Sequence, residues 1–393
     1  MGRDRASIAK KLLDHISYMI FAPASPYSPF PFALHPPLAM KPLFRVVVVG
    51  SGIGAHHVKA YRAAPDLFDV VAICDIDPER AGKLADEQQI PETVTDLESV
   101  LSRPDVDIVD LCTPPHLHFQ QIQSTLEAGK HVVCEKPLVG SLRQMDQLEI
   151  LGRKSGRQIM PIFQYRFGHG LQKLKYLVER QLTGEAFVFN VDVAWWRDAA
   201  YYNAMPWRGK RATELGGALL SQAIHAIDMV FYILGPARSL FARTATRVNS
   251  IEVEDCVAAA VEMADGSLGT ISVTLGSCAQ ISRHRFTFRN VSAESNTEPY
   301  TNSAEPWTYS LPEKTEAGGP IERALSEFEP TAEGYEGQFR RFYRSLTEGE
   351  PLPVTLAHAR RALEFIAGVY SSAETGERVS LPLSKNDPKY VQL

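Results

Sequence analysis

A run of valines that ends in a glycine-rich turn constrains the fold of this chain more than any other feature. Val46 to Val49 form a short, apolar, β-branched segment, which is typical of a strand covered on both faces of a sheet. The segment Gly50-Ser51-Gly52-Ile53-Gly54-Ala55 follows at once and has the G-x-G-x-x-A pattern of a tight turn into a helix. A parallel α/β sheet is therefore expected to begin near Phe44.

Strand and helix patterns alternate along the segment that follows. Further apolar strands are predicted at 70–74, 106–112, 131–134 and 159–163. Residues with helical spacing lie between them, as at Phe119, Ile122 and Leu126. Repeated β-α-β units favour a doubly wound parallel sheet, so residues 44–165 are predicted to form a Rossmann domain.

The hydrophobic period changes to two after Gly184, which predicts a sheet with one buried face. Its first strand places on that face Phe187, Phe189, Val191, Val193 and Trp195. Asp265-Gly266 predicts a hairpin turn before a second alternating strand at 270–275. Helices are predicted at 334–346 and 356–372, after a polar excursion over 292–330, and a last strand begins at Val379. Residues 166–383 are predicted to form an α+β domain with a large, mainly antiparallel open sheet and C-terminal helices that could pack back on the first domain, before a tail at 384–393.

The first 43 residues differ in composition from the rest. Residues 22–42 hold seven of the 26 prolines, which favours extended polyproline II over a packed element. A disordered tail is the favoured interpretation, and a peptide ligand or an arm around a neighbouring subunit is the alternative. Met40 is a possible second translation start, so whether residues 1–43 belong to the native protein stays open.

Charge and cysteine content exclude several classes of protein. The net charge of −5 offers no basic surface for nucleic acid, and no apolar run approaches the ~18 residues of a membrane span. The five cysteines lack any C-x-x-C pair, which favours neither a disulfide framework nor a zinc site. No cleavage pattern supports an export signal, so a cytoplasmic protein is expected.

The glycine turn and the next strand together predict a dinucleotide site. Gly50 permits the turn, Gly52 lets the backbone approach a pyrophosphate at the helix N-terminus, and Ala55 permits close packing of helix on strand. Asp75 ends the next strand, where its carboxylate can accept hydrogen bonds from ribose hydroxyls and repel a 2′-phosphate. NAD is favoured over NADP, which stays possible because Arg80 is near.

Two further strand ends are expected to line the same crevice, since ligands bind beyond the carboxyl ends of parallel strands. One carries Thr113-Pro114-Pro115-His116-Leu117-His118, and the other carries Glu135-Lys136-Pro137. The two histidines lack a third ligand nearby, so helix capping or cofactor contact is favoured over a metal site. The cofactor contacts are predicted to be Gly50, Gly52, Ile53, Gly54, Asp75, Thr113, Pro114, His118, Glu135 and Lys136.

These motifs, with Ala128-Gly129-Lys130-His131-Val132 and Gly216-Gly217-Ala218 through His225, resemble the glucose-fructose oxidoreductase / inositol dehydrogenase (Gfo/Idh/MocA) family over roughly residues 44–383. The resemblance implies an NAD(P)-dependent oxidoreductase of a sugar, polyol or sugar derivative, with an open sheet that mediates assembly into a homodimer or homotetramer. It also implies that the Lys136-Pro137 peptide is cis.

The chemistry of alcohol oxidation fits the residues that carry this resemblance. A histidine with a pKa near ~6.5 is suited to accept the hydroxyl proton, and His225 is the candidate. Lys136 could stabilise charge on the substrate oxygen, with Glu135 orienting it. Ser221 stands where many members carry an aspartate, so either Asp228 orients His225 or the proton relay differs.

Aromatic and cationic residues precede the His225 helix, a composition suited to stacking on sugar faces and bonding hydroxyls, although core or interface packing would also explain it. The substrate contacts are predicted to be Gln164, Arg166, Trp207, Arg208 and Gln222. Two other functions remain open: a nicotinamide-binding sensor that has lost turnover, and a reductase or dehydrogenase of a non-sugar carbonyl or dihydrodiol.

Overall fold

A six-stranded parallel sheet forms the first domain, as the sequence predicts. The computed structural model describes residues 42–313 and 318–393, so the predicted N-terminal extension lies outside the described residues apart from Pro42 and Leu43. The strand order is β3-β2-β1-β4-β5-β6, with all pairs parallel. The strands are β1 (Phe44–Val49), β2 (Phe68–Cys74), β3 (Thr93–Val94), β4 (Ile108–Leu111), β5 (His131–Cys134) and β6 (Ile159–Pro161).

Helices cover both faces of this sheet, which explains why its strands are apolar throughout. Side-chain caps fix several of their starts: Asp77 accepts from the backbone of Glu79, and Ser141 accepts from that of Gln144. The helices are α1 (Gly54–Arg62), α2 (Pro78–Gln88), α3 (Leu97–Leu101), α4 (Pro115–Glu127) and α5 (Leu142–Ser155).

The second domain is built on an eight-stranded sheet. Its order is β13-β12-β11-β7-β10-β9-β8-β14, and every pair is antiparallel except β7 with β10. The strands are β7 (Ala186–Trp196), β8 (Ala237–Ala245), β9 (Cys256–Met263), β10 (Leu268–Thr274), β11 (Gly276–Phe288), β12 (Ser292–Glu294), β13 (Thr308–Ser310) and β14 (Val379–Ser380). The hairpin at Asp265-Gly266 is confirmed by the antiparallel pairing of β9 with β10.

Helices cover one face of this sheet, and a 3₁₀ turn (Gln164–Phe167) leads into them from β6. The helices in this part of the chain are α6 (His169–Glu179), α7 (Ala199–Asn203), α8 (Arg211–Glu214), α9 (Ala218–Ser221), α10 (Ile224–Leu234), α11 (Pro320–Ser326), α12 (Gly334–Thr347), α13 (Leu356–Thr375) and α14 (Pro388–Val391), of which α12 and α14 pack against other helices. The excursion at 292–330 is therefore partly ordered into β12, β13 and α11. In β7 the buried face begins at Phe189, because Phe187 is 42% exposed, so the prediction for Phe187 is wrong.

Helix α12 returns to the first domain and packs on α1. Phe339 stacks on Tyr61 with ring centroids 4.1 Å apart, and the Gln338 amide bonds the backbone of Pro161 and Phe163 at the end of the parallel sheet. A segment distant in sequence thereby reaches the carboxyl ends of the parallel strands.

Among residues 42–313 and 318–393, no single helix is long and apolar enough to cross a membrane. The stretches 211–221 and 224–234 meet the criterion only as a pair, across a 50° bend.

Candidate active site

The turn after β1 brings backbone close to the neighbouring strand. Gly50 has φ +99°, and a Cβ there would lie 2.5 Å from the carbonyl oxygen of Cys112. Only glycine meets both conditions without strain. The close packing of helix on strand occurs at Gly54, where a Cβ would lie 2.8 Å from Val48, and not at Ala55, so that prediction for Ala55 is wrong by one residue.

The start of α1 is open to an anion. No described atom lies within 4 Å of a Cβ built on Gly52, so the backbone there is accessible. The N-cap residue Ile53 is 42% exposed and gives no side-chain cap, and the first turn carries no acidic residue among those described. The unpaired N–H groups and the positive end of the helix dipole therefore remain available to a phosphate.

Asp75 is fixed at the end of β2. Its carboxylate accepts hydrogen bonds from the Ser51 backbone (2.8 Å), the Ser51 hydroxyl (2.5 Å) and the Asp77 backbone (3.0 Å). The Arg80 guanidinium approaches the same carboxylate to 2.9 Å. Burial alone would raise the pKa of Asp75, but these hydrogen bonds lower it, so the group is a carboxylate at neutral pH.

The loop after β4 is tied to the loop after β5 by His118. Its Nδ1 lies 2.8 Å from the Pro137 carbonyl and its Nε2 lies 2.8 Å from the Thr113 carbonyl. The ring is buried, and burial lowers its pKa. Both ring nitrogens are thus occupied by backbone, so direct contact of His118 with a cofactor or a metal is contradicted. The Thr113 hydroxyl donates a hydrogen bond to the side-chain oxygen of Gln121, and Pro114 is the N-cap residue of α4.

A buried ionic network holds the glutamate that follows β5. The ring of His57, on α1, lies 2.8 Å from an oxygen of Asp110 and 3.1 Å from one of Glu135. The Tyr335 hydroxyl, on α12, also donates a hydrogen bond to Glu135 at 3.1 Å. Burial would lower the pKa of His57, but Asp110 raises it well above the ordinary value, so a protonated ring joins two carboxylates.

Glu135 in turn fixes the residue after it. Its second oxygen accepts from the backbone N–H of Lys136 at 3.0 Å. Burial would raise the pKa of Glu135, but the hydrogen bond and charge of His57 and the charge of Lys136 lower it to about 2. Glu135 is therefore an anion, and it orients Lys136 through the backbone.

Lys136 reaches from the first domain to the second. The Lys136-Pro137 peptide is cis, as the resemblance implies, and the ammonium donates to the backbone carbonyl of Ser221 at 2.7 Å. Burial lowers the pKa of Lys136, although Glu135 and Glu214 oppose the shift. The Ser221 hydroxyl itself is buried with no hydrogen-bond partner among the described residues.

His225 lies on the first turn of α10, between two aromatic rings. Tyr165 stacks on it with centroids 4.6 Å apart, and Phe163 presents a T-shaped contact at 5.9 Å. Its Nδ1 is buried and has no partner within residues 42–313 and 318–393. Burial, with the Lys136 charge second, lowers the pKa of His225 to about 3. The ring is therefore neutral at neutral pH, and burial and the nearby Lys136 charge make it a weaker base than a free histidine.

Asp228 and Arg166 do not take their predicted roles. Their side chains form a buried bidentate ion pair, with distances of 2.7 and 2.6 Å. Asp228 is therefore committed to Arg166 and does not orient His225, and Arg166 is 2% exposed and does not face a substrate crevice. The side chains that contact the His225 ring are instead Tyr165 and Phe163.

Polar atoms without partners converge near Lys136 and His225. Gln222 donates to the Tyr201 hydroxyl at 3.2 Å, and the Arg208 guanidinium lies 4.0 Å above the Tyr201 ring, beside Trp207. Gln164 donates to Tyr335 at 3.1 Å. Six buried atoms here lack a partner among the described residues: Gln164 Oε1, Arg197 Nε, Arg208 Nε, Ser221 Oγ, Gln222 Oε1 and His225 Nδ1. Buried polar groups are normally satisfied, so this set is suited to a polyhydroxylated ligand.

Three residues of this site were not predicted from the sequence: His57, Glu214 and Tyr335. Two of them lie near a motif, since His57 follows the glycine turn and Glu214 precedes Gly216-Gly217. The Glu214 carboxylate accepts from the Gly209 backbone at 2.5 Å, and burial raises its pKa while Arg208 and Lys136 oppose the shift. Tyr335 is 200 residues from Glu135 and lies in a segment with no motif, so no pattern indicated it.

Two family models match the chain in succession. The model described as "Oxidoreductase family, NAD-binding Rossmann fold" matches residues 44–163, and the model described as "GFO/IDH/MocA C-terminal domain" matches residues 171–289. Together they cover most of both sheets and the site residues from Gly50 to His225, except Gln164 and Arg166.

Individual relatives are dehydrogenases and oxidoreductases. An uncharacterized oxidoreductase of Bacillus subtilis is 31% identical over 204 residues, 51% of this chain and 57% of that protein. The levoglucosan dehydrogenase of Pseudarthrobacter phenanthrenivorans is 26% identical over 260 residues, 58% of this chain and 67% of that protein. The WlbA dehydrogenase of Bordetella pertussis, solved with NADH and UDP-GlcNAcA, is 26% identical with a TM-score of 0.77, and the match covers 87% of this chain and all of that one.

Proposed function

Because the chain belongs to the Gfo/Idh/MocA oxidoreductase family, with an NAD-binding Rossmann domain, we propose that it oxidises a secondary hydroxyl of a sugar, polyol or sugar derivative with NAD. The observation that carries the proposal is the contact of Lys136 with the Ser221 backbone, just before His225, beside buried polar atoms that lack partners among the described residues. We assign cofactor binding to residues 44–165 and substrate binding to residues 166–383.

The residues present fit the cofactor. The open backbone at Gly52 and the uncapped start of α1 would hold the pyrophosphate, and the fixed Asp75 carboxylate would accept the ribose hydroxyls. Thr113, Pro114 and Glu135 would border the nicotinamide half. When bound, NAD supplies the electrophilic ring that accepts a hydride.

Proton transfer falls to His225 and Lys136. As the carbinol carbon loses its hydride and the carbonyl forms, the hydroxyl proton passes to the neutral imidazole of His225. The Lys136 ammonium, which donates to the Ser221 carbonyl, stabilises negative charge on the reacting oxygen, while Glu135 holds the backbone N–H of Lys136. Gln222, Arg208, Trp207 and Gln164 are assigned to the remaining substrate hydroxyls and the sugar face.

The class of substrate can be tested by NADH absorbance at 340 nm. Purified protein is mixed with NAD and then NADP, against inositols, aldoses, sugar acids and nucleotide sugars, with His225→Asn as the control for contaminating activity. We expect turnover with one of these groups, since relatives include levoglucosan dehydrogenase and WlbA. Tight NADH binding without turnover on any of them would contradict the proposal and favour a nicotinamide sensor.

Cofactor preference is expected to depend on Asp75. Asp75→Asn removes the carboxylate charge that repels the 2′-phosphate of NADP. The same change releases the Arg80 guanidinium, which can then pair with that phosphate. The ratio of NAD to NADP affinity should fall by about tenfold or more, the size of a lost charge-assisted hydrogen bond. Asp77→Asn, which changes a neighbouring exposed carboxylate, is the matched control, and an unchanged ratio in Asp75→Asn would exclude this role.

The outer face of the eight-stranded sheet is assigned to assembly with a second copy. Val188, Phe241 and Leu268 lie on this face and are 41%, 44% and 56% exposed. Several exposed apolar side chains on one face of a sheet are typical of an interface. Sedimentation velocity should show a dimer or tetramer that Leu268→Lys dissociates; a monomeric wild-type protein would contradict the assignment.

A further inference from the structure

A second cavity lies at the end of α10 remote from His225. Its volume is about 470 Å³, within the range of small-molecule sites. Phe231 to Gly235 form its floor, while α6, α12, the loop at 350–353 and the first turns of α13 form its walls. The site proposed above uses none of these surfaces.

Positive charge dominates the lining of this cavity. Four basic side chains line it: Arg166, Lys175, Arg341 and Arg361. The two acidic residues in the lining are Glu179 and Glu350. Glu350 is paired with Arg344 at 3.6 Å, and Glu179 lies 3.8 Å from Lys175.

Two of the cations have no anionic partner within hydrogen-bond distance among the described residues, although the Arg341 guanidinium lies 5.8 Å from the Phe167 ring. The guanidinium groups of Arg341 and Arg361 make no hydrogen bond or ion pair with any residue in the described part of the chain. Arg341 is exposed at the mouth, whereas Arg361 is half-buried. Burial, and then the charge of Arg166, lowers the pKa of Arg361, and the charge of Asp228, whose carboxylate is bonded to Arg166, opposes the shift. An arginine is costly to hold beside another cation in a partly desolvated site unless an anion is present.

A histidine in the lining is also affected by the positive charges of the cavity. Burial, followed by the charges of Arg166, Arg361 and Lys175, lowers the pKa of His358 to about 3. His358 is therefore neutral, and its Nδ1 is occupied by the N-terminal cap of α13. An anionic ligand would therefore be bound by the basic side chains of the cavity and not by His358.

We propose that this cavity binds a small anion with at least two negative charges, of the phosphate or phosphate monoester class. Planar guanidinium groups match phosphate oxygens in bidentate geometry, and Arg341 and Arg361 are the two that offer free donors. Arg166 links the cavity to Asp228, one turn beyond His225 on α10. A bound anion would therefore lie against the end of the helix that carries His225.

The test is calorimetric titration of the full chain with inorganic pyrophosphate, at constant ionic strength and with NADH at saturation so that the glycine turn is occupied. Orthophosphate and glycerol phosphate form separate arms, which distinguish free phosphate from a phosphate monoester. We expect saturable binding, weakened about tenfold or more in Arg361→Gln and in Arg341→Gln, since each loses charge-assisted hydrogen bonds.

Arg153→Gln is the matched control, because Arg153 is an exposed arginine outside the cavity. NADH affinity verifies that each variant is folded. If Arg361→Gln does not fold, Arg341→Gln still tests the proposal, because Arg341 is exposed and its replacement should not disturb folding. Absence of saturable binding in the wild-type chain would overturn the proposal. Equal binding by the wild type and both cavity variants would also overturn it, whatever the substrate of the active site.

Discussion

Replacing His225 by asparagine is expected to lower kcat for alcohol oxidation by about 10²–10⁴-fold, the usual contribution of a positioned general base. The imidazole is neutral and stacked on Tyr165, and its Nδ1 has no partner within the described residues, so its role cannot be taken over by a neighbour. NADH affinity, measured by fluorescence, should stay within about twofold of the wild type, since His225 belongs to the other domain.

Lys136→Met is expected to lower kcat by about 10²–10³-fold, as for loss of a donor that stabilises charge on oxygen. Because both residues act on one oxygen, the double variant should lose less than the product of the two effects. Lys154→Met is the matched control: Lys154 is an exposed lysine on α5, outside the candidate site, so this variant should retain the wild-type rate. Unchanged rates in both His225→Asn and Lys136→Met would show that the chemistry resides elsewhere.

The parallel sheet was predictable because local patterns encode it. Strands buried on both faces must be apolar, and the runs ending at Val49, Cys74 and Cys134 are found where they were expected. Strand β3 was missed because it has only two residues, Thr93 and Val94, and little apolar character. The extended excursion at 292–330 gave no strong period, although short strands form within it.

The roles of side chains were less predictable than their presence at the site. Helical spacing placed Asp228 one turn from His225, but α10 is buried on nearly all sides, so successive residues face different neighbours. His225 faces Tyr165, while Asp228 faces Arg166 only one residue further along the 3₁₀ turn. Spacing along one helix cannot specify which partner the rest of the fold brings to it.

Replacing His57 by leucine is expected to destabilise the protein by about 3–5 kcal/mol, the usual cost of breaking a buried charge network by removing one partner. The substitution leaves Asp110 and Glu135 as two buried carboxylates that share no cation between them. Urea denaturation of the cofactor-free protein measures the effect. His56→Leu is the matched control, because His56 is the exposed neighbour on α1 and should change stability by no more than about 0.5 kcal/mol.

The pH dependence of this difference tests the charge of His57 separately from its packing. The folded pKa of His57 lies above the unfolded value of ~6.5, so its stabilisation is fully present below that pH and declines as pH rises toward the folded pKa. Between pH 7 and 8 the wild-type protein should therefore lose more stability than His57→Leu. Parallel stability curves would mean that the ring is neutral when folded. In that case Glu135 would depend on Tyr335 and the Lys136 backbone to hold its position, and Tyr335→Phe would be the more damaging substitution.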